Sequence, residues 1–418
     1  IQDFWFSGDC NGRWLDPLKA EDQWTRRTYP DNHELVLESA KAMIKMIRNY
    51  PSLAMWCGGN EIKPPHDILI PLRDKILPEL DGTRWFIDYS NSDEWSYNFL
   101  GGNGDGPYTI QPIESFWEIR TWPFNSEVGS VGVGDYESLV RFIPKENLVP
   151  PRYNPNAKFE EDADPVWTYH TYSGVGYKGH IVPYGEPKDI KDFAMKAQLV
   201  NYDQYRALIE GFSSHMWDWY TGTIIWKTQN PWTSMRGQMY DYYLDPNACL
   251  FGLRKGSEML HVMCNPVTKR SMIVNNGFEQ VNDMMFVARY YDIEGNETIL
   301  TQEIAYIEPS DAKMLLPLQG MIGDKLDMDG GFLYLQLLDR QGKLLSDNFY
   351  WYPNAEGKYT GLNKMKKADI KIASKTLSSG KMEVSVTNPK GGAVAFFNRV
   401  SLVDSKTGER VLPALSRI

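Results

Sequence analysis

Two glutamates end strand-like segments of this sequence and could place two carboxylates at one site. Glu61 closes the stretch Leu53-Ala-Met-Trp-Cys-Gly-Gly-Asn-Glu61, which has the form of a short buried strand that breaks into a Gly-Gly turn. Glu127 lies in a second stretch of this form, Phe124-Asn-Ser-Glu127, and follows Glu61 by 66 positions, which is room for about two βα units. Strands that present carboxylates at their carboxyl ends are typical of active sites in α/β barrels.

Two such carboxylates are the minimum that glycoside hydrolysis requires. One stays protonated to give its proton to the leaving oxygen, and the other stays ionised to attack the anomeric carbon or to activate water. Partial desolvation near Trp56 favours Glu61 as the acid, whereas polar Asn125 and Ser126 favour an ionised Glu127. On residue type alone, however, a glutamate that caps a helix or pairs with Lys or Arg is the better interpretation of either residue.

Aromatic residues are frequent, at 13% of the chain with 14 Trp. Sugars present apolar C–H faces, so tryptophan rings at strand ends would make efficient binding platforms. Taken singly, each tryptophan is better explained as a core residue. The tryptophans nearest to the proposed strand ends are Trp5, Trp85, Trp122, Trp226 and Trp232.

Composition excludes several classes of function. The net charge of −10 argues against a nucleic-acid surface. The sequence contains no run of about 18 apolar residues, so no membrane span is expected. The glycine run from Gly129 to Gly134 lacks dinucleotide-binding spacing. The six His are scattered, and the cysteines are too few and too widely spaced for a disulfide scaffold or a zinc site, so no metal or cofactor is expected. The cysteines are Cys10, Cys57, Cys249 and Cys264.

Strand-like and helical patterns alternate through the first 262 residues, which favours a parallel sheet or barrel. Helices are predicted over His33–Asn49 and Lys188–Phe212, and the segment between Asp135 and Gly185 is interpreted as an insertion over the barrel mouth. Short strands at regular spacing then predict an immunoglobulin-like β-sandwich over residues 263–353. A second sandwich, over residues 354–418, would be incomplete.

The sequence resembles glycoside hydrolases of family 2 over nearly all of its length. The resemblance rests on Trp56-x-Gly-Gly-Asn-Glu61, Phe124-Asn-x-Glu127-x-Gly and Ile225-Trp226-x-x-Gln-Asn-Pro-Trp232. Longer strings are most similar to plant mannosylglycoprotein endo-β-mannosidases, and next to exo-β-glucosaminidases. These strings are Asp105-Gly-Pro-Tyr108, Lys196-Ala-Gln-Leu-Val-Asn-Tyr-x-Gln-Tyr-Arg-Ala207 and Asn348-Phe-Tyr-Trp351.

This resemblance implies a (β/α)8 TIM barrel with retaining chemistry, in which the two carboxyl groups lie about 5–5.5 Å apart. By motif position, Glu61 would be the acid/base, Glu127 the nucleophile, and Asn60 the ligand of the hydroxyl next to the anomeric carbon. Trp226 would line the sugar subsite. The further substrate-binding candidates are Tyr108, Trp232 and Trp5.

The substrate is less narrowly determined. Exo-β-glucosaminidases carry Ser-Asp where this chain has Asn60-Glu61, so we expect a β-mannoside of the Man-β-1,4-GlcNAc type, on an oligosaccharide or a glycoprotein glycan. The alternatives are an exo-β-D-glucosaminidase or another family 2 β-glycosidase, and an inactive fragment or carbohydrate-binding module.

Family members carry a sugar-binding sandwich, an immunoglobulin-like domain and about two barrel strands before the position of Ile1. We therefore expect this chain to belong to a longer polypeptide or to associate with a second chain. Alone it should be inactive or unstable, because an open barrel exposes strand edges. The compartment is not readable from the sequence. An extracytoplasmic (periplasmic or secreted) or vacuolar one is favoured over the cytoplasm.

Overall fold

The computed structural model describes most of the chain, which forms two compact units. The first unit comprises Ile1–Gly106, Thr121–Val128 and Tyr220–Ile224, and the second comprises Pro107–Arg120, Gly129–Trp219 and Ile225–Ile418. Cys57, Cys249 and Cys264 are buried, and Cys10 lies outside the described residues. The described residues are 1–6, 30, 32–90, 103–129, 132–153, 161–162, 164–172, 176–236, 238–325, 329–378, 381–389 and 391–411.

Short strands and helices alternate before residue 260, and strands dominate after it. The helices are α1 His33–Ile47, α2 His66–Pro71, α3 Leu77–Leu80, α4 Ser115–Glu118, α5 Tyr136–Phe142, α6 Pro165–Tyr169, α7 Lys178–Ile181, α8 Ile190–Ser214, α9 Ala248–Gly256 and α10 Gln319–Ile322. The strands are β1 Gln2–Asp3, β2 Met55–Cys57, β3 Trp85–Ile87, β4 Asn103–Asp105, β5 Phe124–Val128, β6 Arg152–Tyr153, β7 Glu161–Asp162, β8 Gly222–Ile225, β9 Leu260–Cys264, β10 Arg270–Asn275, β11 Val281–Tyr291, β12 Glu297–Ile307, β13 Asp311–Pro317, β14 Gly331–Leu338, β15 Leu344–Tyr352, β16 Lys371–Thr376 and β17 Met382–Thr387.

The first unit contains a parallel sheet in the order β1-β2-β3. Helix α1 begins where the sequence predicts it, because the side chain of Asn32 accepts a hydrogen bond from the backbone N–H of Leu35 at 2.9 Å. Its apolar face buries Ala40 and Ile44 beside Trp56 of β2, which is fully buried. This packing holds the strand that leads to Glu61.

A second three-stranded sheet has the order β4-β5-β8, and Glu127 is the fourth of the five residues of β5. The prediction of a mixed α/β fold is confirmed, but a closed barrel is not observed in the described part of the chain. A closed barrel needs one continuous hydrogen-bonded ladder. The strands here form two separate sheets instead, and each strand is only two to five residues long.

Helix α8 organises the second unit and matches the predicted long helix within two residues at each end. It packs against α9 at Gly252, where an added Cβ would overlap the carbonyl oxygen of Tyr202. The segment predicted as an insertion contributes to the same core, since Trp167 and Tyr177 are buried in it. Its described part is therefore packed structure rather than an open loop.

Strands β9 to β15 form two antiparallel sheets in the orders β13-β10-β9 and β12-β11-β14-β15. Their inner faces share one core that includes Val262, Ile273, Phe286 and Leu335. Strands β16 and β17 form an exposed hairpin, and no strand covers the described residues 393–402. The predicted domain limits at 262/263 and 353/354 stay a prediction.

Two arginines near the carboxyl end of the described chain fix it within the second unit. Arg399 pairs with Asp135 and with Asp245, the latter at 2.7 Å. Arg410 pairs with Asp245 at 2.6 Å, with Asp135 at 2.8 Å and with Glu137 at 2.9 Å. These pairs tie residues 399–410 to the start of α5 and to the loop before α9.

A buried polar network joins α8 to the sandwich. The carboxylate of Glu210 is completely buried and accepts hydrogen bonds from His261 Nε2 at 2.9 Å, Asn348 Nδ2 at 2.6 Å and the Tyr350 hydroxyl at 2.9 Å. His261 Nδ1 faces Glu258 at 3.2 Å. Burial by itself would lower the pKa of His261, but the hydrogen bonds to Glu210 and Glu258 outweigh it and raise the pKa above its ordinary value.

The protonated imidazole of His261 therefore stabilises the folded state in a pH-dependent way. Its contribution is complete below the unfolded pKa of about 6.5 and disappears as the pH rises through the higher folded pKa. We expect His261→Gln to reduce the free energy of unfolding by about 3 kcal/mol near pH 6, and by about 1–2 kcal/mol near pH 9. Denaturant titrations at the two pH values measure both losses.

The matched control is His66→Gln, which changes an exposed imidazole. It should shift the free energy of unfolding by less than about 0.5 kcal/mol at either pH. A loss for His261→Gln that is equal at both pH values would show that its charge does not contribute to stability.

Candidate functional site

The turn after β2 positions Glu61 through close backbone contacts. Gly58 donates its N–H to the Ile87 carbonyl at 2.8 Å, and an added Cβ on Gly58 would overlap the Asp88 carbonyl. An added Cβ on Gly59 would lie 2.7 Å from the Ile62 carbonyl oxygen. The two glycines that the sequence singles out are therefore required because neighbouring backbone leaves no room for side chains.

Glu61 itself has a φ of +56°, in the left-handed region that non-glycine residues seldom adopt. Its backbone N–H donates to the Ser90 hydroxyl at 2.9 Å, and the Ser90 N–H donates to the Gly59 carbonyl at 2.9 Å. Asn60 donates its N–H to the Phe6 carbonyl at 2.7 Å. The turn is thus fastened to the residues that follow β1 and β3, and backbone strain of this kind is concentrated at functional sites.

Glu127 is held by the amide side chain of a buried neighbour. Asn125 is completely buried; its Oδ1 accepts from the Glu127 N–H at 3.1 Å, and its Nδ2 donates to the Gly106 carbonyl at 2.8 Å. The Gly106 N–H donates to the Glu127 carbonyl at 2.7 Å. Both candidate glutamates are half-buried, so each side chain is partly exposed to solvent. Hydrogen bonds hold the backbone of each one in place. The sequence marks Asn125 only as a polar neighbour, whereas the structure shows that its side chain holds the backbone of Glu127.

Trp226 follows β8, the strand next to β5 in the second sheet. Its ring meets the edge of Tyr108 at a centroid distance of 5.3 Å, and the two side chains are half-buried. Arg236 places its guanidinium 5.5 Å from the Trp226 centroid and 5.8 Å from that of Tyr108, and Lys227 Nζ lies 4.5 Å from the Trp226 centroid. The structure therefore adds a cationic group that the sequence analysis missed, since it lies in a loop with no periodic pattern.

The remaining predicted platforms lie elsewhere. Trp232 is 37% exposed and packs against Tyr169 and His170, with ring centroids at 5.3 and 6.0 Å. Trp5 is 56% exposed and contacts Phe4 edge-on in the first unit. The structure thus brings Tyr108 and Trp226 together and places Trp232 and Trp5 in separate clusters. The roles assigned to all of these residues stay predictions.

The first unit presents the carboxylates of Glu61 and Glu127 on positioned backbones, and the second presents the paired rings of Tyr108 and Trp226. Carboxylates suit polar ligands, and aromatic rings suit ligands with apolar faces. Within the described ranges, no group of three or more His, Cys, Asp or Glu side chains is placed to hold a metal ion. The helices in those ranges include none long and apolar enough to cross a membrane.

Curated relatives match most of the chain. It is 37% identical to a mannosylglycoprotein endo-β-mannosidase of Lilium longiflorum over 390 residues, which are 84% of this chain and 40% of that protein. It is 27% identical to an exo-β-D-glucosaminidase of Arthroderma benhamiae, over 93% of this chain and 46% of that protein. The chain thus spans less than half the length of these relatives.

Solved structures share the fold of the chain, and a family model matches its carboxyl-terminal part. The exo-chitosanase of Amycolatopsis orientalis superposes with a TM-score of 0.75 at 22% identity, over 93% of this chain and 49% of that one. A β-D-mannosidase of Dictyoglomus thermophilum superposes with a TM-score of 0.66 at 16% identity, over 86% of this chain and 45% of that one. Residues 348–416 match the model of the exo-β-D-glucosaminidase Ig-fold domain.

The close contact between Gly129 and Trp226 generates a prediction about local stability. An added Cβ on Gly129 would overlap the Trp226 carbonyl oxygen, so Gly129→Ala must displace the backbone at that point. We expect a loss of about 1–3 kcal/mol, as for other overpacked sites. Hydrogen–deuterium exchange should show faster exchange in peptides that cover residues 124–129 and 222–228.

Gly320→Ala is the control, because no atom lies within 4 Å of an added Cβ at that helical position. It should be neutral or slightly stabilising. Unchanged exchange in both peptides of Gly129→Ala would show that the contact does not determine the position of Trp226.

Proposed function

Because this chain is a homologue of family 2 glycoside hydrolases, we propose that the complete protein is a retaining β-glycosidase that cleaves β-mannosidic linkages. One observation carries the proposal: the chain is 37% identical over 84% of its length to an endo-β-mannosidase. Both glutamate motifs are present in the sequence. A carboxylate on each of two strand ends is the equipment that such a reaction needs.

The proposed reaction has two steps. Glu61 gives a proton to the glycosidic oxygen while Glu127 attacks the anomeric carbon, so the glycosidic bond breaks and an ester between the sugar and Glu127 forms. Glu61 then takes a proton from water, which hydrolyses the ester and restores both side chains with retained anomeric configuration. The hydrogen bonds of Ser90 to the Glu61 backbone and of Asn125 to the Glu127 backbone support these roles, because each limits the movement of a reacting group.

The proposed substrate is a Man-β-1,4-GlcNAc unit of an oligosaccharide or a glycoprotein glycan. Asn60 would hold the hydroxyl beside the anomeric carbon, and Trp226 with Tyr108 would meet the apolar face of the sugar ring. Trp232 and Trp5, which are more exposed, would contact sugars further along the glycan.

An exo-β-D-glucosaminidase is the second candidate. It is favoured by the match of residues 348–416 to the exo-β-D-glucosaminidase Ig-fold domain and by curated relatives with that activity. A carbohydrate-binding module without turnover is the third. We also propose that the domains that relatives carry before the region matched here are supplied by the same polypeptide or by a second chain, in an extracytoplasmic or vacuolar compartment.

The complete protein should release mannose from Man-β-1,4-GlcNAc. Glu127→Ala should lose more than about a thousandfold in kcat, because the nucleophile is removed, and yet still bind the disaccharide. Azide with p-nitrophenyl β-mannoside, whose leaving group departs without protonation, assigns the two roles: it should rescue Glu127→Ala to give the α-mannosyl azide, and Glu61→Ala to give the β-mannosyl azide. Mannose release and azide products are measured by chromatography and NMR.

Glu118→Ala removes an exposed carboxylate of α4 and should keep wild-type turnover. Cleavage of a β-glucosaminide without mannose release would keep the chemistry and replace the substrate. Binding of glycans without turnover of either substrate by the complete wild-type protein would establish the binding module instead.

A further inference from the structure

Two cationic side chains lie near the ring of Trp226 within the second unit. The guanidinium of Arg236 is 5.5 Å from the ring centroid and also 5.8 Å from that of Tyr108, so one cation faces both aromatic rings. Lys227 Nζ adds a second positive charge at 4.5 Å from the Trp226 centroid. A sugar stacked on this pair of rings would lie well within the screening length of about 8–10 Å from Arg236.

We propose that Arg236 is a specificity-determining residue that discriminates against a protonated amino sugar and thereby selects a neutral β-mannoside. This inference rests on the proposed function, because it takes Trp226 and Tyr108 as the walls of the sugar subsite. The two candidate substrates differ in charge at the carbon next to the anomeric centre. A mannoside carries a neutral hydroxyl there, and a glucosaminide carries an ammonium group at neutral pH.

The position of Arg236 is determined by its backbone rather than by a counter-ion. The buried side chain of Asn230 donates to the Arg236 carbonyl at 3.0 Å, and the Arg236 N–H donates to the Ser234 hydroxyl at 3.3 Å. The neighbouring Met235 is completely buried, which anchors the loop. Among the residues that the structure describes, no carboxylate forms an ion pair with Arg236. Its charge is therefore available to act on a ligand.

The expected size of the discrimination follows from Coulomb's law. A unit charge about 6 Å from a second like charge disfavours binding about threefold in bulk water, and by more where the local dielectric constant is lower. Arg236 is exposed, so an effect of about three- to tenfold is expected when its charge is removed. Reversing the charge should double the effect on a logarithmic scale.

A purely structural role for Arg236 makes a different prediction. If the guanidinium only supports the two rings through cation–π contacts, its removal should weaken the binding of charged and neutral sugars alike, at any pH.

The effect of stereochemistry at the same carbon must also be separated from the effect of charge. Glucose and glucosamine differ there only in the hydroxyl or amino group, so their β-p-nitrophenyl glycosides form the matched pair of ligands.

The test measures binding of p-nitrophenyl β-glucosaminide and p-nitrophenyl β-glucoside to Glu127→Ala, with and without a change at Arg236, by titration calorimetry in the complete protein. In Arg236→Gln the affinity ratio of glucosaminide to glucoside should rise about three- to tenfold near pH 6, and Arg236→Glu should raise it about ten- to hundredfold. Arg236→Lys keeps the charge and should leave the ratio unchanged. Near pH 9.5, where an amine with a pKa of about 8 is neutral, the increase should vanish.

Arg340→Gln, which removes an exposed charge in the sandwich, is the control and should leave the ratio as in the parent. A ratio that does not change in Arg236→Gln and Arg236→Glu would overturn the inference, and so would a change of equal size at both pH values. Because binding is measured without turnover, these outcomes are separate from the failure of the proposed function, which is a wild-type protein that releases no mannose.

Discussion

Close contact between backbone segments at two strand ends is the constraint on which the candidate site depends. Gly58 lies against the Asp88 carbonyl in the first unit, and Gly129 lies against the Trp226 carbonyl in the second. A side chain on Gly58 would push apart segments that the hydrogen bonds of Ser90 hold in register, and one on Gly129 would displace the backbone of Trp226. The glycines therefore do not act on a substrate. They allow the chain to turn so tightly that the next polar residues, Asn60 and Glu61, are fixed with little freedom, which is the condition for precise acid–base work.

The second unit shows how the same rigidity is obtained over long sequence distances. Glu210 of α8 reaches His261, Asn348 and Tyr350 of the sandwich, so a carboxylate in a helix is neutralised by groups that lie 51 to 140 positions away. The arginines at 399 and 410 do the same for Asp135 and Asp245. A buried carboxylate without such partners would strongly destabilise the fold. The sandwich therefore contributes to the stability of α8, because its strands supply the hydrogen-bond partners of the buried Glu210 carboxylate.

Local signals made the strand ends and the main helices predictable. The period of apolar residues located α1 and α8, and the structure places Asn32 and Asp189 at their N-caps. The glycine pair before Asn60 marked a turn, although the positive φ falls on Glu61 itself. The sequence did not reveal partners that folding brings together from a distance. Glu210 has the residue type of a solvent-exposed helical position, and Arg236 lies in an aperiodic loop, ten positions after the ring that it faces. Closure of a barrel depends on long-range strand pairing in the same way, and the alternation of strands and helices does not specify that pairing.

The sign of the charge near a ligand is a local property that net charge conceals. The chain carries a net charge of −10, which in isolation suggests affinity for cations. Charges more than about 10 Å away are largely screened, however, so a bound sugar responds mainly to the groups around its own ring. At Trp226 those groups include Arg236 and Lys227. Both candidate sugars share the bond that the carboxylates cleave, so these groups carry out the same bond cleavage on either one. A cation near Trp226 that is held by its own backbone is suited to contribute to the choice between a neutral and an aminated sugar, beside the groups that contact the reacting carbon.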